Sequence, residues 1–68
     1  MYKLGIDVGG TNTDAVLIDE TRAVVADIKY PTSADIYDGI LGAVRKVLEV
    51  SGVDRTQIRQ AMLGTTQC

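Results

Sequence analysis

Tyr2, Leu4, Ile6 and Val8 alternate with Lys3, Gly5 and Asp7, the two-residue period of a strand with one buried face. Gly9-Gly10-Thr11-Asn12 breaks the alternation with residues that tolerate positive φ, so a turn is expected there. Thr13 to Asp19 predicts a second strand, Glu20-Thr21-Arg22 a polar turn, and Ala23 to Tyr30 a third strand rich in Val and Ile. Three consecutive strands with short links make an antiparallel meander, which Pro31 ends.

After Pro31 the period changes. Ile36, Ile40, Val44, Val47 and Leu48, with Leu41 beside them, form one helical stripe, and Asp35, Asp38, Arg45, Lys46 and Glu49 lie mostly off it. Thr32 or Ser33 can cap the start, Asp35 suits the helix dipole there, and Gly52 stands where a helix commonly stops. Gly39 and Gly42 each cost about 1 kcal/mol of helix propensity against Ala, which reads either as local weakness or as close packing on a sheet. Asp54 can cap a short turn through Ile58. Gln60 to Gly64 then predicts a fourth strand that runs out in Thr65-Thr66-Gln67-Cys68. A strand reached through a helix usually lies parallel in the same sheet. The expected class is therefore α/β, with strand order 3-2-1-4, the helix on one face and nothing left in the chain for the other.

Size and composition narrow the function. The chain has 68 residues, 46% hydrophobic, room for one domain at most, and a small one is marginal without a staple or a partner. It has no His and a single Cys, Cys68, so neither a zinc site nor an internal disulfide is expected. Without a His to activate it, Cys68 is expected to be a free terminal thiol, not a nucleophile. A pI near 4.7 and no basic run argue against nucleic acid and anionic membranes as partners. No apolar run approaches the roughly 20 residues of a membrane span, and Met1-Tyr2-Lys3 leads straight into a strand without a signal-peptide pattern. A cytoplasmic location is the expectation. Tyr30 and Tyr37, flanking the strand-to-helix turn, are expected to pack with wet hydroxyls.

The chemistry gathers in Asp7-Val8-Gly9-Gly10-Thr11-Asn12-Thr13-Asp14. If Gly9 to Asn12 form a four-residue hairpin loop, Val8 faces Thr13, and Asp7 and Asp14 are opposed on one face of the sheet. Like charges so placed are destabilising by about 0.2–1 kcal/mol. A divalent cation turns that penalty into a site, since carboxylate, water and phosphate oxygens suit Mg²⁺. Gly9 and Gly10 can turn backbone N–H groups toward an anion, and the Thr11 and Thr13 hydroxyls add donors. The plain alternative is a hairpin turn with two solvated strand-end carboxylates. Neither GxxxxGK[ST] nor GxGxxG is present, and the loop joins strand to strand, so a phosphate at a helix N-terminus is not expected.

GIDVGGTNTDAVLID resembles the first phosphate motif of the acetate and sugar kinase/Hsp70/actin superfamily, the first hairpin of a ribonuclease H-like fold. DxGGTxTD, a strand ending in Lys-Tyr-Pro-Thr, an Asp-Gly-Ile-Leu helix and LGTT, in that order, resemble the N-terminal region of the hydantoinase/oxoprolinase family. Asp14 marks that family against ROK-type sugar kinases, which show the glycines without the second acid.

The resemblance implies that residues 1–68 are the N-terminal fragment of a ribonuclease H-like ATPase domain. It implies ATP-dependent hydrolysis of a cyclic amide, a hydantoin or 5-oxoproline, with ATP and Mg²⁺ as cofactors. By the same resemblance Asp7 orients Mg²⁺ or its water shell, and Asp14 is a base candidate or stands one layer behind. Gly9, Gly10, Thr11, Asn12 and Thr13 wrap the phosphates, and Gly64, Thr65 and Thr66 close the same crevice. A second hydantoinase subunit and self-association of the fragment are the expected partnerships. The isolated chain is expected to be inactive. Two other readings stay open: a segment of a sugar or acyl kinase of the same superfamily, and a non-catalytic α/β interaction module.

Overall fold

The structure, a computed structural model, describes residues 1–32 and 35–65, and of Thr65 the backbone alone. Four strands form one sheet: β1 (Tyr2–Val8), β2 (Asn12–Ile18), β3 (Val24–Pro31) and β4 (Ile58–Thr65). Their order is β3-β2-β1-β4, with β1 antiparallel to β2, β2 antiparallel to β3, and β4 parallel to β1. The meander, the crossover and the expected order are all present. Pro31 is the last residue of β3, not a residue beyond it. A sheet edge tolerates it because the missing N–H would have faced no neighbour.

The helix α1 (Ile36–Ser51) lies over β3 and β2 and barely reaches β1. Leu4, Ile6 and Val8 from β1, Ala15 and Leu17 from β2, and Ala26 and Ile28 from β3 are buried beneath it with Ala43 and Val47. The buried line of the helix is Gly39, Ala43 and Val47, whereas the expected stripe began at Ile36. Ile40, Val44 and Leu48 flank that line half-buried, while Ile36 and Leu41 are exposed. Small residues therefore lead the contact. A Cβ on Gly42 would stand 2.4 Å from ring carbons of Tyr30, so this glycine gives the tyrosine its place. The packing reading of the glycines holds at Gly42, and Tyr30 packs as expected. Tyr37 does not: it is 78% exposed.

Asp35 caps α1, its carboxylate accepting the Tyr37 N–H at 3.0 Å. Thr32 is occupied elsewhere, and Ser33 lies outside the described residues. Gly52 closes the helix at φ 74°, a left-handed conformation in which its N–H reaches the Leu48 carbonyl. Asp54 caps a single 3-10 turn, Arg55–Gln57, and in return its own N–H donates to the Gln57 side-chain oxygen. In the turn between β2 and β3, Asp19 accepts from the Thr21 hydroxyl and from the Thr21 and Ala23 N–H groups. The Thr21 hydroxyl above all, and then the Ala23 N–H, hold the Asp19 carboxyl below its usual range.

Two bulges adjust the register. Leu17 faces Ala26 but Ile18 faces Val24, leaving Val25 as an extra residue in β3. Tyr2 faces Ile58 and Lys3 faces Gln60, leaving Arg59 extra in β4. No helix among the described residues is long and apolar enough to cross a membrane.

The glycines give a test of the packing. A Cβ on Gly39 would meet its nearest neighbour, the Thr13 hydroxyl, at an ordinary 3.6 Å. Gly39→Ala is expected to raise stability by up to about 1 kcal/mol. Gly42→Ala is expected to forfeit that gain by displacing Tyr30. Urea unfolding of both variants checks this, and equal gains would refute the tight contact.

Candidate functional site

The register of β1 and β2 builds the site. Gly9 to Asn12 close the hairpin through a 2.9 Å bond from the Gly9 N–H to the Asn12 carbonyl. A Cβ on Gly9 would stand 3.0 Å from that carbonyl, so the closure is tight enough to select glycine. Val8 then faces Thr13, and Asp7 faces Asp14, as the spacing predicted. Because side chains alternate across the sheet, the Val8–Thr13 pair goes under α1 and the Asp7–Asp14 pair to the opposite face.

The two carboxylates sit differently. Asp7 is exposed, whereas Asp14 is half-buried and its Oδ1 is shielded from solvent with no hydrogen-bond partner among the described residues. A shielded carboxylate oxygen without a donor is costly, and an arriving cation or donor relieves it. On the other side of β1, Asp7 pairs with Gly64 of β4, where a Cβ would lie 3.9 Å from an Asp7 carboxylate oxygen. Gly5, Asp7, Asp14, Val16, Met62 and Gly64 line a shallow groove on this helix-free face. A hard, hydrated divalent cation fits such a pair of opposed carboxylates. Asp7 with Asp14 would hold it.

At the loop tip the expected donors divide. The Gly9 N–H is already used in closing the hairpin. Gly10 and Thr11 donate their N–H groups to no partner among the described residues, and a Cβ on Gly10 would meet nothing within 4 Å. The Asn12 amide reaches the Thr11 hydroxyl at 3.4 Å, and both side chains are exposed. Thr13 is fully buried on the α1 side. Its hydroxyl lies 3.0 Å from the Thr32 hydroxyl, so it stands inside the protein and away from the concavity where it was expected to donate. The strand alternation that separates it from Asp14 is the reason.

The end of β4 does approach the same place. Gly64 is next to Asp7, and the Thr65 backbone pairs with Val8. Thr66 and Cys68 lie outside the described residues. Among the described residues no three Asp, Glu, Cys or His side chains gather into a metal-binding group. The residue that sequence reasoning missed is Thr32, read there as a helix cap. It bonds the loop twice, through its N–H to Thr11 and its hydroxyl to Gly9, and its hydroxyl also meets that of Thr13 in β2.

The model of the hydantoinase/oxoprolinase N-terminal region matches residues 3–68. The chain belongs to that family. No curated protein sequence matches it significantly. Among solved structures it is similar to component A of (R)-2-hydroxyglutaryl-CoA dehydratase from Acidaminococcus fermentans, at 21% identity and TM-score 0.85 over 97% of this chain and 25% of that one. It is similar also to the activator of 2-hydroxyisocaproyl-CoA dehydratase from Clostridium difficile with bound ADPNP, at 22% identity and TM-score 0.81, covering 96% and 24%. A ROK hexokinase from Thermus thermophilus gives 23% identity and TM-score 0.78, covering 96% and 22%. These likenesses show a shared fold. The chain spans about a quarter of the length of each.

The opposed carboxylates yield a measurable cost. Asp14→Asn of this family member is expected to raise stability in the presence of a chelator by about 0.2–1 kcal/mol, because it removes one of two facing charges. Thermal unfolding with EDTA measures it. A loss of stability would show that Asp14 is not opposed by charge.

Proposed function

We propose that this chain is the N-terminal, phosphate-binding segment of a ribonuclease H-like ATPase domain in an ATP-dependent cyclic-amide hydrolase, of hydantoin or 5-oxoproline type. The observation that carries the reading is the shielded, unpartnered Asp14 Oδ1 opposite Asp7, beside a loop with undonated N–H groups, in a chain of this family. A carboxylate pair and an amide-lined loop side by side suit the two halves of a metal–phosphate group.

In this reading Asp7 and Asp14 hold Mg²⁺ directly or through its water shell. The metal, when bound, neutralises charge on the phosphates. The Gly10 and Thr11 N–H groups, the Thr11 hydroxyl and the Asn12 amide orient the phosphate oxygens. Gly9 and Thr13 serve the same phosphates indirectly, one by closing the hairpin and the other from beneath it. Gly64 contributes by placing no side chain beside the Asp7 carboxylate. By the family resemblance, Thr65 and Thr66 are assigned to the same crevice as part of this proposal. Cyclic amides resist hydrolysis; transfer of the terminal phosphoryl group of ATP to the ring carbonyl oxygen, with ADP leaving, would open the carbon to attack by water. Asp14, on the same face, is the base candidate. The family match favours this reading over a sugar or acyl kinase, and so does the second acid, Asp14.

A full cleft needs walls that these residues do not include, so the chain alone is proposed to bind Mg-ATP weakly and to turn over neither ATP nor hydantoin. A cytoplasmic setting and a second hydantoinase subunit fit the same reading. Met62 and Leu63, 54% and 60% exposed on opposite faces of β4, leave apolar surface beside an unpaired strand edge. Self-association of the isolated chain is expected from this. Sedimentation across a concentration series measures it, and a strict monomer at high concentration would count against it.

Amide NMR during a Mg-ATP titration tests the site. The Gly10, Thr11 and Asn12 signals are expected to shift at millimolar nucleotide, less with EDTA, and not in Asp7→Asn. Unmoved loop amides would remove the nucleotide reading. Phosphate release by the purified chain that depends on Asp7 would overturn its proposed inactivity.

A further inference from the structure

Thr32 follows the last residue of β3 and is half-buried beside the loop. Its N–H donates to the Thr11 carbonyl at 2.9 Å. Its hydroxyl lies 3.0 Å from the Gly9 carbonyl and 3.0 Å from the Thr13 hydroxyl. A carbonyl can only accept, so the one hydroxyl proton of Thr32 goes to Gly9. The Thr13 hydroxyl must then be the donor to Thr32. The chain of bonds has a direction: Thr13 to Thr32, and Thr32 to the Gly9 carbonyl. Gly9 is thus held at both ends of its residue, by Asn12 through its N–H and by Thr32 through its carbonyl.

We propose that Thr32 is a positioning residue that fixes the Gly9–Asn12 loop in its phosphate-receiving shape by tying both Gly9 and Thr11 to the end of β3. The assignment of phosphate to that loop rests on the reading above; the latch itself rests on the three hydrogen bonds. With Gly9 and Thr11 anchored through their carbonyls, the Gly10 and Thr11 N–H groups donate to no partner among the described residues. A loop ordered before its ligand arrives loses less entropy on binding, which is where a latch improves affinity. Thr13 is subordinate in this chain, because Thr32 keeps its donation to Gly9 whether or not Thr13 donates to it.

Amide hydrogen exchange on the 68-residue chain, with and without Mg-ATP, tests the proposal. Thr32→Val keeps the shape and deletes the hydroxyl; it is expected to speed exchange at the Gly9 and Thr32 amides by about tenfold, the loss of one net hydrogen bond. Amides of Ile6 and Leu17 in the sheet centre are expected to hold their rates. Thr32→Ser is expected to restore the loop, and Thr13→Val to affect it less than Thr32→Val does. The Kd for Mg-ATP is expected to rise by about tenfold in Thr32→Val and to return in Thr32→Ser. Unchanged loop exchange in Thr32→Val, or an equal increase at Ile6 and Leu17, overturns the latch. If the wild-type loop ignores Mg-ATP while Thr32→Val still loosens it, the nucleotide reading fails and the latch stands. Normal nucleotide affinity in a loosened Thr32→Val loop overturns the role in binding.

Discussion

The β1–β2 register is the constraint on which everything else rests. It places Leu4, Ile6 and Val8 with Thr13, Ala15 and Leu17 on the side covered by α1, and so sends Asp7 and Asp14 to the other. A slip of one residue would reverse both sets. Burying a Leu, Ile or Val side chain contributes about 1.5–3 kcal/mol. Facing two carboxylates across a strand pair costs about 0.2–1 kcal/mol. Several such side chains are at stake against one facing pair, so the core wins. The charged juxtaposition is thus enforced by packing on the opposite face, and the protein carries it whether or not a cation is present.

The same packing supports the loop from below. Small residues at Gly39 and Ala43 let α1 lie close, and a Cβ at Gly39 would find the Thr13 hydroxyl, the Thr32 Cα and the Pro31 carbonyl all within 4 Å. The first turns of α1, the end of β3 and the start of β2 therefore meet at one point beneath the hairpin. Loop geometry and helix packing are not separable there. A change that lifts α1 off the sheet also removes the floor on which Thr13 and Thr32 pair.

Much of this was legible in the residues. Alternation marked β1, the glycines marked the hairpin, and the four-residue loop length alone was enough to oppose Asp7 and Asp14. What stayed hidden has two physical causes. Periodicity weights large apolar side chains, so it began the helix stripe at Ile36, while the true contact line runs through Gly39 and Ala43, which register weakly on any hydropathy scale. The β3 bulge is the other cause. With Val25 extra, Asn12 faces Pro31 and Thr32 comes beside Thr11. Without it, the partner of every β2 residue before Ile18 would slip by one, and Thr32 would pass the loop at a different place. No composition or spacing announces a bulge at Val25. Thr32 therefore looked like a helix cap, the commonest role for a threonine ahead of a helix.

The position of the acids around α1 explains why the loop, and not the helix, is the place for an anion. A bare helix N-terminus offers free N–H groups and a partial positive charge. Here the Tyr37 N–H is already taken by Asp35, and Asp38 adds a second carboxylate in the first turn. The dipole is answered from within the chain, and a phosphate approaching it would meet two negative side chains. At the hairpin the balance is the reverse. The acids, Asp7 and Asp14, sit two residues outside the loop on the sheet face, where a divalent cation can bridge them to an anion, and the tip itself carries N–H groups and no charge. The chain separates helix capping from anion binding by spending Asp35 on the first and leaving Gly10 and Thr11 for the second.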